Sequence, residues 1–89
     1  MKPMAMPSER DHDRRGLLRL MIKMPALRGM LQILSATDPH LLGLCGAYED
    51  ANVALDRLRK EKGNANRDAI AEYEELCTEL ETDIIRMCQ

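Results

Sequence analysis

The chain has 89 residues, of which 45% are hydrophobic and 31% are charged, and its net charge is −2. This length allows one domain at most, and the composition is too apolar for a wholly disordered chain. Two Tyr with no Trp or Phe mean that Leu, Ile and Met must fill the core.

The charge is unevenly distributed along the chain. Residues 1–35 carry seven Lys or Arg and three acids, a balance of +4, whereas residues 36–89 carry six and twelve, a balance of −6. The asymmetry predicts a basic arm that docks on an acidic body, its own or a partner's, or that meets another anionic partner.

No segment of the sequence has the character of a membrane span or an export signal. No run of 18 apolar residues occurs. Acids precede the first apolar run, and Arg19 and Lys23 interrupt it. Three Cys without an export signal therefore predict reduced thiols and a cytoplasmic location.

The N-terminal part predicts a disordered tail followed by helical segments. Residues 1–8 contain two prolines and no periodicity, which is typical of a tail. A basic amphipathic helical segment over 9–35 should break at Pro25, because proline removes a backbone donor and restricts the residue before it. Beyond Pro25 the segment is apolar almost all round, so we expect burial on more than one side and a linker at Ser35–Thr37. The basic face of this segment comprises Arg14, Arg15, Arg19, Lys23 and Arg28.

Residues 38–88 predict an antiparallel helical hairpin. Asp38 is suited to cap a first long helix over about residues 39–62. A turn rich in Gly and Asn follows, and Asn66 is suited to cap a second helix over about residues 67–88. The predicted fold is therefore all-α, with one or two shorter helices before the hairpin.

The second long helix carries the most regular pattern in the chain. Its apolar residues recur at spacings of three and four, at Ile70, Tyr73, Cys77, Leu80, Ile84 and Met87. We expect Tyr48 and Tyr73 to pack in the apolar interface between the two long helices. With the matching heptads of the first helix, antiparallel pairing sets Arg59 opposite Glu74 as a salt bridge and Cys45 opposite Cys88 as a possible thiol pair.

The other flank of the hairpin is lined by small residues. This small-residue flank comprises Gly43, Ala47, Ala54, Ala69 and Leu76. Small side chains let another helix approach closely, and Leu42 and Ile85 widen the apolar surface at the open end. Burial of one stripe per helix, at about 25 cal/mol per Å², hardly offsets ordering costs of roughly 1.5 kcal/mol per residue. We therefore expect the N-terminal helices, a second copy forming a helical bundle, or a partner protein to complete the structure.

The residues that could carry chemistry do not form a convincing site. The three Cys and two His lack the spacing of zinc ligands. The acids of the second helix indicate a solvated face, with a face for a basic partner as the alternative. We predict no catalytic residue, no cofactor, no metal and no small-molecule substrate.

One enzyme class has helices in which the apolar residues are similarly spaced. The segment ATDPHLLGLCGAYEDANVALDRLRKEKG resembles the first long helix of small all-helical dimers of the chorismate mutase type. Those enzymes bind a dicarboxylate, which requires inward-facing Arg or Lys. The inward positions here are Leu41, Leu44, Tyr48, Ala51, Leu55 and Leu58. The resemblance therefore implies no such activity in this chain.

The favoured interpretation is a small non-enzymatic helical protein that acts through protein–protein contact, as a regulator, adaptor or inhibitor, and forms a homodimer. The alternative is binding of nucleic acid or an anionic membrane surface through the basic N-terminal helix. Two observations disfavour that alternative. The arm has no aromatic side chain for stacking or anchoring, and acids dilute its charge.

Overall fold

The computed structural model describes the backbone of residues 9–61 and 66–89, and the side chains of residues 11–61 and 66–89. Every regular element within these ranges is a helix, which confirms the all-α class. The elements are α1 (Glu9–Lys23), a 3₁₀ turn (Pro25–Leu27), α2 (Arg28–Thr37), α3 (Pro39–Lys60) and α4 (Arg67–Met87). The predicted tail at 1–8 and most of the predicted turn, residues 62–65, lie outside the described residues.

Two helix boundaries follow directly from local chemistry. α1 ends at Lys23, immediately before the Met24–Pro25 step, as the proline predicts. Asp38 caps α3: its carboxylate accepts hydrogen bonds from the backbone N–H of His40 at 2.9 Å and of Leu41 at 3.4 Å. The cap satisfies N–H groups that have no partner inside the first turn.

One other boundary prediction is wrong, and one holds only in part. Ser35–Thr37 is the last turn of α2 and not a linker, because nothing breaks the helix until Asp38 takes an extended conformation before a proline. Asn66 is the N-cap residue of α4, as predicted, but its side chain makes no capping hydrogen bond. Its amide donates instead to Oε1 of Glu61 at 2.7 Å, which ties the two sides of the α3–α4 connection together.

α3 is the helix around which the others pack. It contacts both α1 and α4 extensively, and α2 contacts α1 and α3. The core therefore draws on all four helices rather than on α3 and α4 alone. Its buried apolar side chains are Leu17, Leu20, Met21, Leu31, Leu41, Cys45, Tyr48, Ala51, Leu55, Cys77, Leu80, Ile84 and Cys88.

The α4 stripe packs on α3 through its centre. Cys77, Leu80 and Ile84 are buried, and Ile70 and Met87 are half-buried. Tyr73 is exposed, so its predicted place in the core seam is wrong. The expected salt bridge is present, with Nη2 of Arg59 donating to Oε2 of Glu74 at 2.7 Å.

α2 is much less buried than its composition predicts. Leu31 is its only buried residue. Met30 and Ile33 are exposed, the latter by 63%. The expectation of burial on more than one side is wrong, because the described part of the chain makes few contacts with this short helix, from α1, α3 and the 3₁₀ turn before it.

Candidate interaction surfaces

α1 and α3 cross so closely that Gly16 has no room for a side chain, and Gly46 lies against the movable carboxylate of Asp13. A Cβ on Gly16 would overlap the carbonyl oxygen of Cys45 and lie 2.6 Å from its carbonyl carbon. A Cβ on Gly46 would overlap a carboxylate oxygen of Asp13. The sequence reasoning missed this crossing, although a glycine inside a helical pattern signals a packing reason.

Ion pairs join the basic face of α1 to acids of α3 and α4. Nε of Arg19 donates to Oε1 of Glu49 at 2.6 Å, and Glu49 is only 4% exposed. Nζ of Lys23 donates to Oε2 of Glu81 at 2.5 Å. His12 pairs with Asp50 in the same way. The expected docking of the basic helix on acidic helices thus occurs within one chain.

A polar cleft of about 260 Å³ lies where α1, α3 and α4 meet. The Tyr48 hydroxyl donates to the same Oε2 of Glu81 that Lys23 contacts, at 2.5 Å. Burial and this hydrogen bond raise the pKa of Tyr48. The phenol therefore stays neutral at physiological pH, and Glu81 holds both donors, so this arrangement links three helices.

The three thiols are all free and buried. Burial, the Asp13 carboxylate and Cys88 together raise the pKa of the Cys45 thiol to about 11. Burial also raises the pKa of Cys77 and of Cys88. Thiols with raised pKa values are poor nucleophiles at neutral pH. The predicted Cys45–Cys88 pair stays a prediction, although Cys88 is one of the groups that raise the pKa of Cys45.

The other three residues of the predicted basic face point to solvent. Arg14, Arg15 and Arg28 are exposed, and no ion pair forms at them among the described residues. The basic face is therefore divided. Arg19 and Lys23 bind acids of the same chain, whereas the other three cations remain outward.

The structure places the predicted interaction residues in two different environments. Gly43 and Ala47 are exposed, and Ala54 is half-buried; a Cβ on Gly43 would meet nothing within 4 Å. Leu42 and Ile85 are half-buried. Leu42 lines a cleft of about 220 Å³ with Leu17 and Ser35, so elements of the same chain partly cover this end.

The described residues contain neither a cluster of metal ligands nor a helix that could span a membrane. Within residues 9–61 and 66–89, no three His, Cys, Asp or Glu side chains come together in a way that could hold a metal ion. No helix in those ranges has the length and apolar character needed to cross a bilayer.

Comparisons of the chain with protein-family models, with curated proteins and with solved structures find no match.

Proposed function

We propose that this is a small non-enzymatic helical protein that acts through protein–protein contact, as a regulator, adaptor or inhibitor, and that it forms a homodimer. The contact surface is the small-residue flank of an antiparallel hairpin made by α3 and α4. The observation that supports the proposal is that α1 packs along one side of α3 and α4, while no described residue buries the opposite side.

The register of the two helices supports this division. Arg59–Glu74 pairs one e position of the heptad repeat with another, so antiparallel packing brings the g positions together on the opposite side. α1 lies on the e side, because Gly16 meets Cys45 and Lys23 meets Glu81. The g side holds Ala47, Ala54, Ala69 and Leu76, and nothing in the described part of the chain buries it.

The composition of the open flank suits a helix as its partner. Gly43 and Ala47 present almost no side chain, so a second backbone can approach α3 closely. Tyr73 and Leu76 of α4 are also exposed, nearer the Arg59–Glu74 end of the two helices, and they offer apolar area to a partner helix. Close helix packing with larger apolar residues at one edge is the pattern of a bundle interface.

Replacement of Ala47 by arginine tests the flank. A47R should weaken self-association by at least about tenfold, because it puts a charged, bulky side chain where a helix must approach. A71R is the matched control, since Ala71 is an exposed helical alanine on the side of α4 away from the flank. Sedimentation equilibrium at micromolar concentrations gives the readout.

The result for a heterologous partner follows the same logic. A partner captured from the native host should be retained by A71R and lost by A47R. Equal self-association and equal capture by both variants would remove the flank from the proposal.

The alternative function, binding of nucleic acid or an anionic membrane surface by the basic helix, keeps only part of its support. Arg19 and Lys23 are engaged by Glu49 and Glu81. Of the predicted basic face, an anionic ligand would meet Arg14, Arg15 and Arg28, which predicts weak binding with a shallow salt dependence because few phosphates are neutralised.

A further inference from the structure

α1 and α2 together expose an apolar and basic surface that the small-residue flank does not include. Leu18 and Ile22 lie four residues apart on α1, and Ile22 is 76% exposed. Met30 and Ile33 are the exposed apolar residues of α2. With their basic neighbours these form the outer α1–α2 face: Leu18, Ile22, Met30, Ile33, Arg14, Arg15 and Arg28.

The outer α1–α2 face has no negative charge of its own. Residues 14–37 contain five Lys or Arg and no Asp or Glu. A shallow groove of about 220 Å³ runs between α1 and α2, lined by Leu18 and Met21 on one side and by Gln32 and Ser35 on the other. The groove has room for an apolar side chain, and Arg14 stands at its edge.

The inner face of α1 indicates what this kind of surface binds. There, Leu17, Leu20 and Met21 are buried in the core, while Arg19 binds a carboxylate of α3 and Lys23 binds a carboxylate of α4. The outer side of α1 repeats that combination with two apolar residues and two arginines. The chemistry that matches it is a second acidic amphipathic helix.

The chain itself carries such a helix surface. Four exposed acids of α4 make no ion pair with any described residue, and they form an acidic ridge: Asp68, Glu72, Glu75 and Glu79. Their spacing of three and four residues puts them on one face of α4. Leu76 is exposed beside them. The ridge thus offers the carboxylates that the outer α1–α2 face lacks, together with one exposed apolar side chain.

We infer that the outer α1–α2 face binds the acidic ridge of a second copy of this chain. Arg14 and Arg15 contact carboxylates of the ridge, and Leu76 approaches the groove between α1 and α2. The inference rests on the proposed function in that both are contacts between helical chains, but it names a different pair of surfaces, which share only Leu76 with the small-residue flank.

An anionic lipid surface is the competing occupant, and it fits less well. The acidic ridge and the net charge of −2 would repel such a surface. The outer α1–α2 face offers no aromatic anchor at the bilayer interface, because both Tyr lie in α3 and α4. Carboxylates are also the groups that Arg19 and Lys23 already bind in this molecule.

Charge-reversal variants test the pairing directly in the A47R background, where the small-residue flank is blocked. One protein carries R14E and R15E, and the other carries E72K and E79K. Each alone should lose self-association by at least about tenfold, because like charges then face each other. An equimolar mixture retains one intact pair of surfaces and should form a 1:1 complex by sedimentation velocity.

Three results would overturn the inference: a mixture that stays monomeric, single variants that associate as well as their A47R parent, or binding of the A47R parent to phosphatidylglycerol vesicles that R14E and R15E abolish. The altered side chains are exposed, and unchanged circular dichroism establishes that the variants fold. Raising the salt concentration should also weaken association of the A47R parent, a test without further mutation. Because Ala71 lies three residues from Asp68 and four from Glu75, A71R also alters the acidic ridge. The flank is therefore tested by A47R against A71R in the R14E and R15E background, where the ridge has lost its partner, so the two proposals can fail separately.

Discussion

Gly16 is the residue on which the packing of α1 depends most directly. The neighbouring group is the backbone carbonyl of Cys45, which cannot rotate away as a side chain could. G16A should therefore destabilise the protein by about 1–3 kcal/mol, because the helices must separate to admit one methyl group. This loss outweighs the gain of about 1 kcal/mol that alanine normally brings to a helix interior. Denaturant unfolding measures the difference.

G43A provides the matched control for the crossing glycine. Gly43 also lies inside a helix, but a Cβ there enters open space. The same change should stabilise the protein by up to about 1 kcal/mol, since alanine restricts the unfolded chain. Equal effects at both positions would contradict the close crossing of α1 and α3.

Residue-level chemistry is predictable from sequence where the partner is local. Asp38 caps α3 because the acceptor and its N–H donors are two and three residues apart. Asn66 has the right chemistry for a cap, yet its side chain binds Glu61 instead. The glycine crossing was not predicted, because it depends on how two distant helices meet.

At the scale of elements, the amphipathic pattern of α1 predicts that this helix packs on the rest of the chain. It does not predict which of its basic residues form ion pairs with α3 and α4. Arg19 and Lys23 turn inward, whereas Arg14 and Arg15 of the same predicted face stay outward. The apolar composition of α2 overstates its burial for a related reason. The composition of a helix limits how much apolar surface it can bury, and the number of neighbouring helices determines how much it does bury.

The pair of Arg19 and Glu49 should be the most strongly coupled ion pair in the molecule. Glu49 is buried, so removal of Arg19 leaves a carboxylate away from water without its partner. A double-mutant cycle with R19L and E49L should give a coupling of about 1–3 kcal/mol. The double variant should recover much of the stability lost by R19L alone, since it removes both charges together.

The exposed pair of Arg59 and Glu74 serves as the reference for that cycle. Both side chains are about half exposed, at 51% and 53%. A cycle with R59L and E74L should give no more than about 1 kcal/mol, and salt should reduce it further. If the two cycles gave the same coupling, burial of Glu49 would not govern the docking of α1.

At the scale of the whole molecule, the helix content and the approximate bounds of the long helices follow from the sequence. The same holds for the Arg59–Glu74 contact, because heptad register fixes it once α3 and α4 pair. The position of α1 does not follow. It depends on the close backbone contact at Gly16 and on ion pairs between residues far apart in the sequence. The spacing of apolar residues predicts neither. Of the predicted interaction residues, those on the small-residue flank are open, and those at the Leu42 end are partly covered.

The contribution of α1 to the whole molecule can be weighed from its buried side chains. Leu17, Leu20 and Met21 are each at most 8% exposed. At about 1.5–3 kcal/mol for each such side chain, they contribute roughly 5–9 kcal/mol. That amount is comparable to the entire stability of a small domain, about 5–15 kcal/mol. The pair of α3 and α4 should therefore not fold without α1.

A fragment of residues 38–89 tests this dependence. Alone at micromolar concentration it should show low helicity by circular dichroism and no cooperative thermal transition, because the Cys45 face of α3 is left open to water. A peptide of residues 9–37 added in trans should restore both signals. The same peptide with G16V should not, since the branched side chain blocks the crossing at Cys45 while the charges and apolar rows remain. If the fragment alone matched the intact chain in helicity and melting temperature, α1 would be an appendage to a self-sufficient hairpin, and its ion pairs with α3 and α4 would follow folding rather than drive it.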